Sequence, residues 1–408
     1  MALHRPPCRL RVSNMPSALV ILILWICLSC VSALQNPQIA TFSSTTKSRL
    51  MSAALSSSDT IADRSTLSLL EHVNIDIPSH EYAVPFYYDI LGCGVDPRMA
   101  HNFVNHPAKE STIWANCGAS QFHLCYSPET SPGLPGRIGL RYDSLDGLQQ
   151  RLQEHRQEKK EETTRCFQSF QLDQQDSQGN PQITIVDRYN NEFVCRALPS
   201  PIPSSPIASN QPILGISSDD EAEEWTDLAQ RYGREKSDCR GIDYLEIACP
   251  TETAESIAQF YESVFDANTN VIPLPDNTKI AMIALGNIRT NGRADQYLLF
   301  KEQPQQQPDD TTGTTTTTTT STQKQQHHIA LYVGQVKADF NQAYRNAEMA
   351  GVVWINPRFE DKVDTLTAAQ QWNQFRFKNI VDLETGKPIV ELEHEVRSTE
   401  HSSWPVVL

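Results

Sequence analysis

The chain has 408 residues, 39% of them apolar, and a formal net charge of -15 at pH 7. That length supports two ordinary domains plus tails. The acidic balance excludes nucleic acid and anionic membrane surfaces as partners, because phosphate binding needs a Lys/Arg-rich face, and leaves a small-molecule substrate. No Ser/His/Asp order, nucleophile elbow, phosphate-binding glycine loop or dinucleotide fingerprint occurs, so hydrolase and nucleotide-dependent readings are set aside.

Arg5, Arg9 and Arg11 precede the apolar run "ALVILILWICLSCVSA", and residues 1–33 read as a cleaved signal peptide. Residues 34–65 are rich in Ser and Thr and carry no Asp or Glu before Asp59, which is transit-peptide composition. Together they resemble the two-part presequence of plastids that lie inside endomembranes. The expected location is a plastid, with secretion as the alternative, and no membrane association once the presequence is removed. Seven of the ten cysteines lie beyond Ala33. An odd number without a CxxC pair is a poor disulfide framework and a poor zinc cluster.

Next in chain order, "LEHVNIDIPSHEYAVPFYYDILG" (70–92) reads as a strand, a Ser cap and a helix. Its Val73, Ile75 and Ile77 alternate with His72, Asn74 and Asp76, so one face is apolar and the other polar. Ser79 is the expected helix N-cap, and Pro85 interrupts the helical pattern. The strand-helix pattern returns at "GRIGLRYDSLDGLQQRLQEH" from Gly136, at "IDYLEIACPTETAESIAQFYESVFD" with Thr251 as the expected cap, and at "HHIALYVGQVKADFNQAYRNAEMAG" from His327. Short alternating strand signals follow each helix, the last a hairpin turning at Thr385-Gly386. The chain thus divides into a first domain at 66–200 (modules 66–130 and 136–200), a linker at 201–239, and a second domain at 240–398 (modules 240–302 and 327–398). A Gln/Thr-rich insert at 303–326 has disordered composition.

Four βαβββ modules carrying "EHVNIDIP", "SQFHLCY", "HHIALYV" and "DLETGKPIVELEHE" at strand positions resemble the vicinal oxygen chelate superfamily, which includes glyoxalase I, bleomycin resistance proteins and extradiol dioxygenases. The resemblance implies an α+β fold in which the modules pair into two cup-shaped mixed sheets with helices outside. It also implies a divalent metal inside a cup, held by residues of the first and last strand of each module. The first-strand position is His72 in module one, Arg137 in module two, Tyr244 in module three and His328 in module four. The last-strand position is His123 in module one and Glu391 or Glu393 in module four. Parity does not separate the two glutamates, and either is the expected proton shuttle.

Ligands fall only in modules one and four. Pairing within each half leaves two half-sites, whereas pairing one with four and two with three collects His72, His123, His328 and a Glu in one cup. The exchanged pairing is therefore expected. Three imidazoles and a carboxylate suit Zn, Fe(II), Ni, Co or Mn. Asn74, Asp76, Arg141, Gln374 and Arg376 are the further candidates to line a cup and hold a polar substrate. The implied activity is metal-dependent chemistry on a small oxygenated substrate, a glyoxalase-like lyase or isomerase in preference to an extradiol-type dioxygenase. A metal-free binding module is the reading from another class.

Overall fold

The computed structural model describes residues 61–96, 112–127, 133–197, 237–303 and 327–403, apart from 119, 160, 162–163, 176–179, 290–292, 335–336 and 360. The signal peptide, most of the transit-like segment, most of the linker and nearly all of the Gln/Thr-rich insert lie outside the described residues.

Two mixed sheets organise the chain. β1 (Ile61–Arg64) precedes module one, whose strands are β2 (Leu67–Ile77), β3 (Gly94–Val95), β4 (Ile113–Cys117) and β5 (Ser120–Tyr126); in module two they are β6 (Gly136–Tyr142), β7 (Phe167–Gln175), β8 (Pro181–Asp187) and β9 (Glu192–Ala197). Module three supplies β10 (Cys239–Cys249), β11 (Thr269–Pro273), β12 (Lys279–Arg289) and β13 (Ala294–Glu302), and module four supplies β14 (His328–Val333), β15 (Gln374–Val381) and β16 (Pro388–Ser398). One sheet runs β15-β16-β14-β2-β5-β4-β3; the other runs β1-β12-β13-β10-β6-β9-β8-β7, with β11 on β12. β14 pairs antiparallel with β2, and β10 with β6. Modules one and four therefore build the first sheet and modules two and three the second, the exchanged arrangement. β1 falls inside the stretch assigned by composition to the transit-like head, yet it pairs with β12 and so belongs to the folded body.

Helices cover the apolar backs of the sheets. Ser79 caps α1 (His80–Val84), its side chain accepting from Glu81 N. Pro85 does not end that helix: Pro85–Ile90 continues as a π-helical turn, a wider ladder in which Leu91 N reaches back to Phe86 O and no bond is asked of the proline nitrogen. Phe86 and Tyr87 of this turn pack on Phe193 of β9, and Tyr87 also meets Phe122 of β5, so one helix serves both sheets. The helix of module three, α3 (Ala254–Phe265), does the same through Phe260 on Phe377 and Tyr261 on Phe300. Its N-terminus differs from expectation. Thr251 instead donates to Gln303 O, and the first helical N–H groups of Thr253 and Ala254 are met by the Glu302 carboxylate at the end of β13. The remaining helices are α2 (Asp146–Glu158), α4 (Lys337–Met349) and α5 (Leu366–Trp372), the last without a sequence signal read in advance. Among the described residues no helix is long and apolar enough to cross a membrane. The seven cysteines are free thiols, six of them buried.

One polar side chain joins the two sheets at their core. Gln296, on the buried face of β13, accepts from Leu70 N (2.8 Å) and donates to Leu70 O (3.2 Å), Ser120 Oγ (3.0 Å) and Ile242 O (2.9 Å). Leu70 and Ser120 belong to the first sheet, Ile242 and Gln296 to the second. Replacing Gln296 by Ala leaves these buried groups without partners, each worth about 1–3 kcal/mol, and part of the loss is recovered by relaxation. Gln296→Ala is expected to lower the unfolding free energy by about 3 kcal/mol in urea denaturation; a change no larger than a surface substitution would remove the amide's role in joining the sheets.

Candidate metal centre

The polar face of β2 is set by an irregularity. Ala330 pairs with His72, but Leu331 pairs with Leu70, so Glu71 is an extra residue in the ladder. A bulge of this kind turns two successive side chains to one face. Glu71 and His72 accordingly both point into the cup, with His72 Nδ1 2.6 Å from Glu71 Oε2. In the neutral ring whose Nδ1–H donates to that carboxylate, Nε2 is the acceptor nitrogen.

His328 opens β14 two residues from Ala330, and its Nε2 lies 3.2 Å from His72 Nε2. Two nitrogens bound 2.0–2.1 Å from a tetrahedral ion must sit about 3.3 Å apart, so this separation is one that a shared metal requires. His123 of β5 completes the group. Its ring stacks on His72 with centroids 3.6 Å apart, and Trp114 covers its other side at 4.4 Å. One nitrogen from each of the three rings lies within 4.8 Å of those of the others. Gln121 Oε1 stands 3.3 Å from His123 Nε2; where that nitrogen donates to it, His123 presents Nδ1 as its lone pair. Burial holds His123 and His328 well below the usual imidazole range, with His72 acting in the same direction on both. Neutral imidazole is the form that binds a metal.

The expected glutamates are not the residues nearest this cluster. Glu391 is half-exposed at the rim and paired with Lys378 at 2.6 Å. Glu393 is the register partner of His328, but its carboxylate is taken by Arg376 (3.0 Å) and by the Asn356 amide. The duplication points one step further. In module one the last-strand His123 lies two positions beyond Gln121, the register partner of His72. Two positions beyond Glu393 in module four is Glu395, which sequence reading passed over. It is buried, and although burial pushes its pKa up, the guanidiniums of Arg397 and Arg376 override this and hold it well below the usual carboxylate range, with His72 and His328 adding to the effect.

Around the rings runs a buried ionic network. Arg397 pairs with Glu395 and with Glu71 (2.7 Å), and Arg376 pairs with Glu395, Glu393 and Asp361 (3.3 Å). Four carboxylates against two guanidiniums leave two negative charges beside the three imidazoles, of which burial disfavours the charged form of His123 and His328. A divalent cation at the histidines would balance them, and the donor set fits such an ion.

The other candidates fall in different places. Asn74 lies between His328 and His123 in one row across the sheet, and its Oδ1 accepts from the Cys125 thiol at 2.9 Å. Asp76 is buried on the same face, its pKa raised by burial against the pull of His327 and Arg358. Gln374 and Arg376 are in this cup too, both bound to Asp361. Arg141 is not: it belongs to the second sheet, where it pairs with Asp243.

The sequence matches no protein-family model and no curated protein. Among solved structures, glyoxalase I from Zea mays is similar with 9% identity and a TM-score of 0.44 over 81% of this chain and 92% of that one. A Bacillus subtilis protein described as a dioxygenase gives 10%, 0.44, 83% and 87% in the same order. The fosfomycin resistance protein FosX of Listeria monocytogenes, solved with Mn(II) and a dihydroxypropylphosphonic acid, is similar over 38% of this chain and 90% of that one, with 11% identity and a TM-score of 0.21. At these identities and TM-scores the likeness is one of overall fold, a mixed α+β arrangement of two sheets. The chemistry of the site rests on its own geometry.

The buried imidazoles make stability depend on pH. Burial lowers His123 and His328, and lowers His394, whose Nε2 meets the Tyr261 hydroxyl, to about 3. Unfolded imidazoles titrate near pH ~6.5, so below that pH the unfolded chain binds protons that the folded one refuses. The stabilisation is complete above pH ~6.5 and is lost as pH falls toward the folded values, by about 1.4 kcal/mol per pH unit for each ring. Urea midpoints of the metal-free protein are expected to decline steadily from pH 7 to pH 5; a flat profile would show that the rings protonate in place.

Proposed function

We propose that the first cup binds one divalent metal through His72, His123 and His328, with Glu395 as the acidic member of the site, and that the protein is a metal-dependent enzyme acting on a small oxygenated substrate. The observation that carries this reading is the 3.2 Å approach of His72 Nε2 and His328 Nε2, with the far side of His72 anchored on Glu71. When bound, Zn, Fe(II), Ni, Co or Mn would supply Lewis acidity for negative charge developing on a substrate oxygen.

The chain's own groups have separable tasks. Glu71 fixes the His72 tautomer, as the outer partner of a metal-binding histidine does. Arg376 and Arg397 hold Glu395 ionised and in place, so that carboxylate is a poor choice for a group that must leave and carry protons. Glu393, on the same strand face, less enclosed and held by one guanidinium and the Asn356 amide rather than by two guanidiniums, is the better placed carboxylate to accept a proton from carbon beside a carbonyl, which is the step of a lyase or isomerase of the glyoxalase kind. A fixed acid beside histidines also favours a second reading. Two imidazoles and one immobile carboxylate form the face used by Fe(II) oxygenases, so extradiol-type dioxygenation is the rival reaction. Oxygen uptake with a catechol against exchange of a carbon-bound proton with deuterated solvent separates the two.

Purified protein is expected to contain stoichiometric metal, lost in His72→Ala and in His328→Ala, as read by elemental analysis. Absence of metal from a folded wild type after reconstitution would leave the cup a binding module. Glu71→Gln is expected to weaken metal affinity by about 10- to 100-fold in competition with a chelator, since the outer partner is removed while the ligands stay. Glu391→Gln, altering an exposed ion pair, is expected to leave affinity unchanged; a loss as large as that in Glu395→Gln would return Glu391 to the ligand set.

We further propose that residues 1–60 direct the protein to a plastid through an endomembrane. A fluorescent reporter carrying them is expected in the organelle interior, and its appearance in the medium instead would favour secretion.

A further inference from the structure

The second cup repeats the geometry of the first with different chemistry. By register, Tyr244, Leu299, Arg137 and Val194 stand where His72, His123, His328 and Glu395 stand in the first cup. These residues offer a metal no imidazole and no carboxylate. Further along the same face, Arg141 and Arg196 are direct register partners on β6 and β9. Arg141 is 1% exposed. Its Nη2 donates to Asp243 and to Asp295 O (2.9 Å), while Nε and Nη1 meet no acceptor among the described residues. Arg196 lies 5.1 Å above the Tyr244 ring, and its Nε is likewise buried without an acceptor. Asp243 is shared between Arg141 and Arg293, the latter at 3.6 Å. Asp243 occupies a bulge in β10, between Ile242 and Tyr244, at the place that Glu71 occupies in β2. In the first cup the bulge carboxylate adds to an excess of negative charge; here it serves two guanidiniums.

Buried guanidinium N–H groups that lack acceptors are costly, and a planar donor of this kind is suited to carboxylate and phosphate oxygens. We propose that the second cup is a binding site for a small organic anion, whose carboxylate or phosphate oxygens accept from Arg141 and Arg196. Tyr244 and Tyr297, register partners on β10 and β13, flank the site and offer an apolar surface to the carbon skeleton. The absence of a side chain at Gly139 lets the Tyr244 ring lie flat on the sheet, since a Cβ there would fall 2.2 Å from the ring. The site uses no residue of the metal centre and does not rest on the function proposed for it.

The test is isothermal titration calorimetry of the full chain, stripped of metal with a chelator, against inorganic phosphate and, separately, succinate. At least one of the two is expected to bind with a dissociation constant at or below about 1 mM, and which one binds distinguishes the phosphate from the carboxylate source. Arg196→Gln is expected to weaken binding about tenfold or more, and Arg141→Lys, which keeps a cation beside Asp243 but removes the open donors, at least as much. His328→Ala is expected to leave it unchanged. Should Arg141→Lys not fold, Arg196→Gln at its partly buried position carries the comparison. No binding of either anion to the wild type up to about 10 mM, unchanged binding in Arg196→Gln, or loss in His328→Ala would each overturn the proposal.

Discussion

The extra residue in β2 is the constraint on which the site depends. With Glu71 out of the ladder, Leu70 and His72 lie on either side of a break, and the backbone groups of Leu70 need partners from elsewhere. Gln296 supplies them from the other sheet, and Ser120 Oγ adds a bond to Leu70 O at 3.0 Å. The same few atoms therefore join the two sheets and hold the bulge that turns Glu71 and His72 toward one another. Packing at the back of the sheet and chemistry at its front are linked through one amide side chain.

Charge is the second constraint. A chain of buried ion pairs running from Glu71 through Arg397 and Glu395 to Arg376 is not by itself a source of stability, because removing the charges from water costs about as much as their attraction returns. It does fix positions. A bulged carboxylate that must satisfy both His72 Nδ1 and Arg397 has little freedom, and neither does a ring whose one protonated nitrogen is committed. The surplus of acid over base gives the imidazoles a local field that attracts a cation, while burial disfavours protonation of His123 and His328.

Much of this was legible in the sequence because it follows from short-range periodicity. Alternation marked His72, His123 and His328 as facing away from the apolar set, and the duplicated strand-helix pattern predicted four modules and the two places where imidazoles were missing. What alternation could not do was choose among Glu391, Glu393 and Glu395, which recur at every second position; only the register of β14 on β16 places Glu395 level with Ala330 and His72. The bulge was hidden for a related reason. "LLEHV" reads as ordinary alternation around His72, and nothing local announces that Glu71 joins the polar face. Applying the module-one offset from His72 to His123 onto module four was the one signal that pointed to Glu395, and it needs the strand register. Arg141 was read as a cup residue, but which cup it lines is decided by the exchange of modules rather than by its neighbours in sequence. Thr251 failed as a cap because an acid from a distant strand, Glu302, met the same N–H groups.

Exchange of modules has a consequence for how the metal centre can form. His72 and His123 lie in the first quarter of the folded chain and His328 and Glu395 in the last, so neither half can assemble the donor set alone. The site exists only when β14 has paired with β2, a contact between residues more than 250 positions apart. Closing so long a loop is entropically costly and comes late relative to local hairpins. A metal bound across that pairing, as proposed, would stabilise the state in which both halves are docked, and its binding free energy would add to that of the fold. The second cup is assembled by the shorter route through β6 and β10, and its arginines draw on the intervening modules. Docking the outer modules around that inner pair is thus the step that turns two histidines and one into a centre.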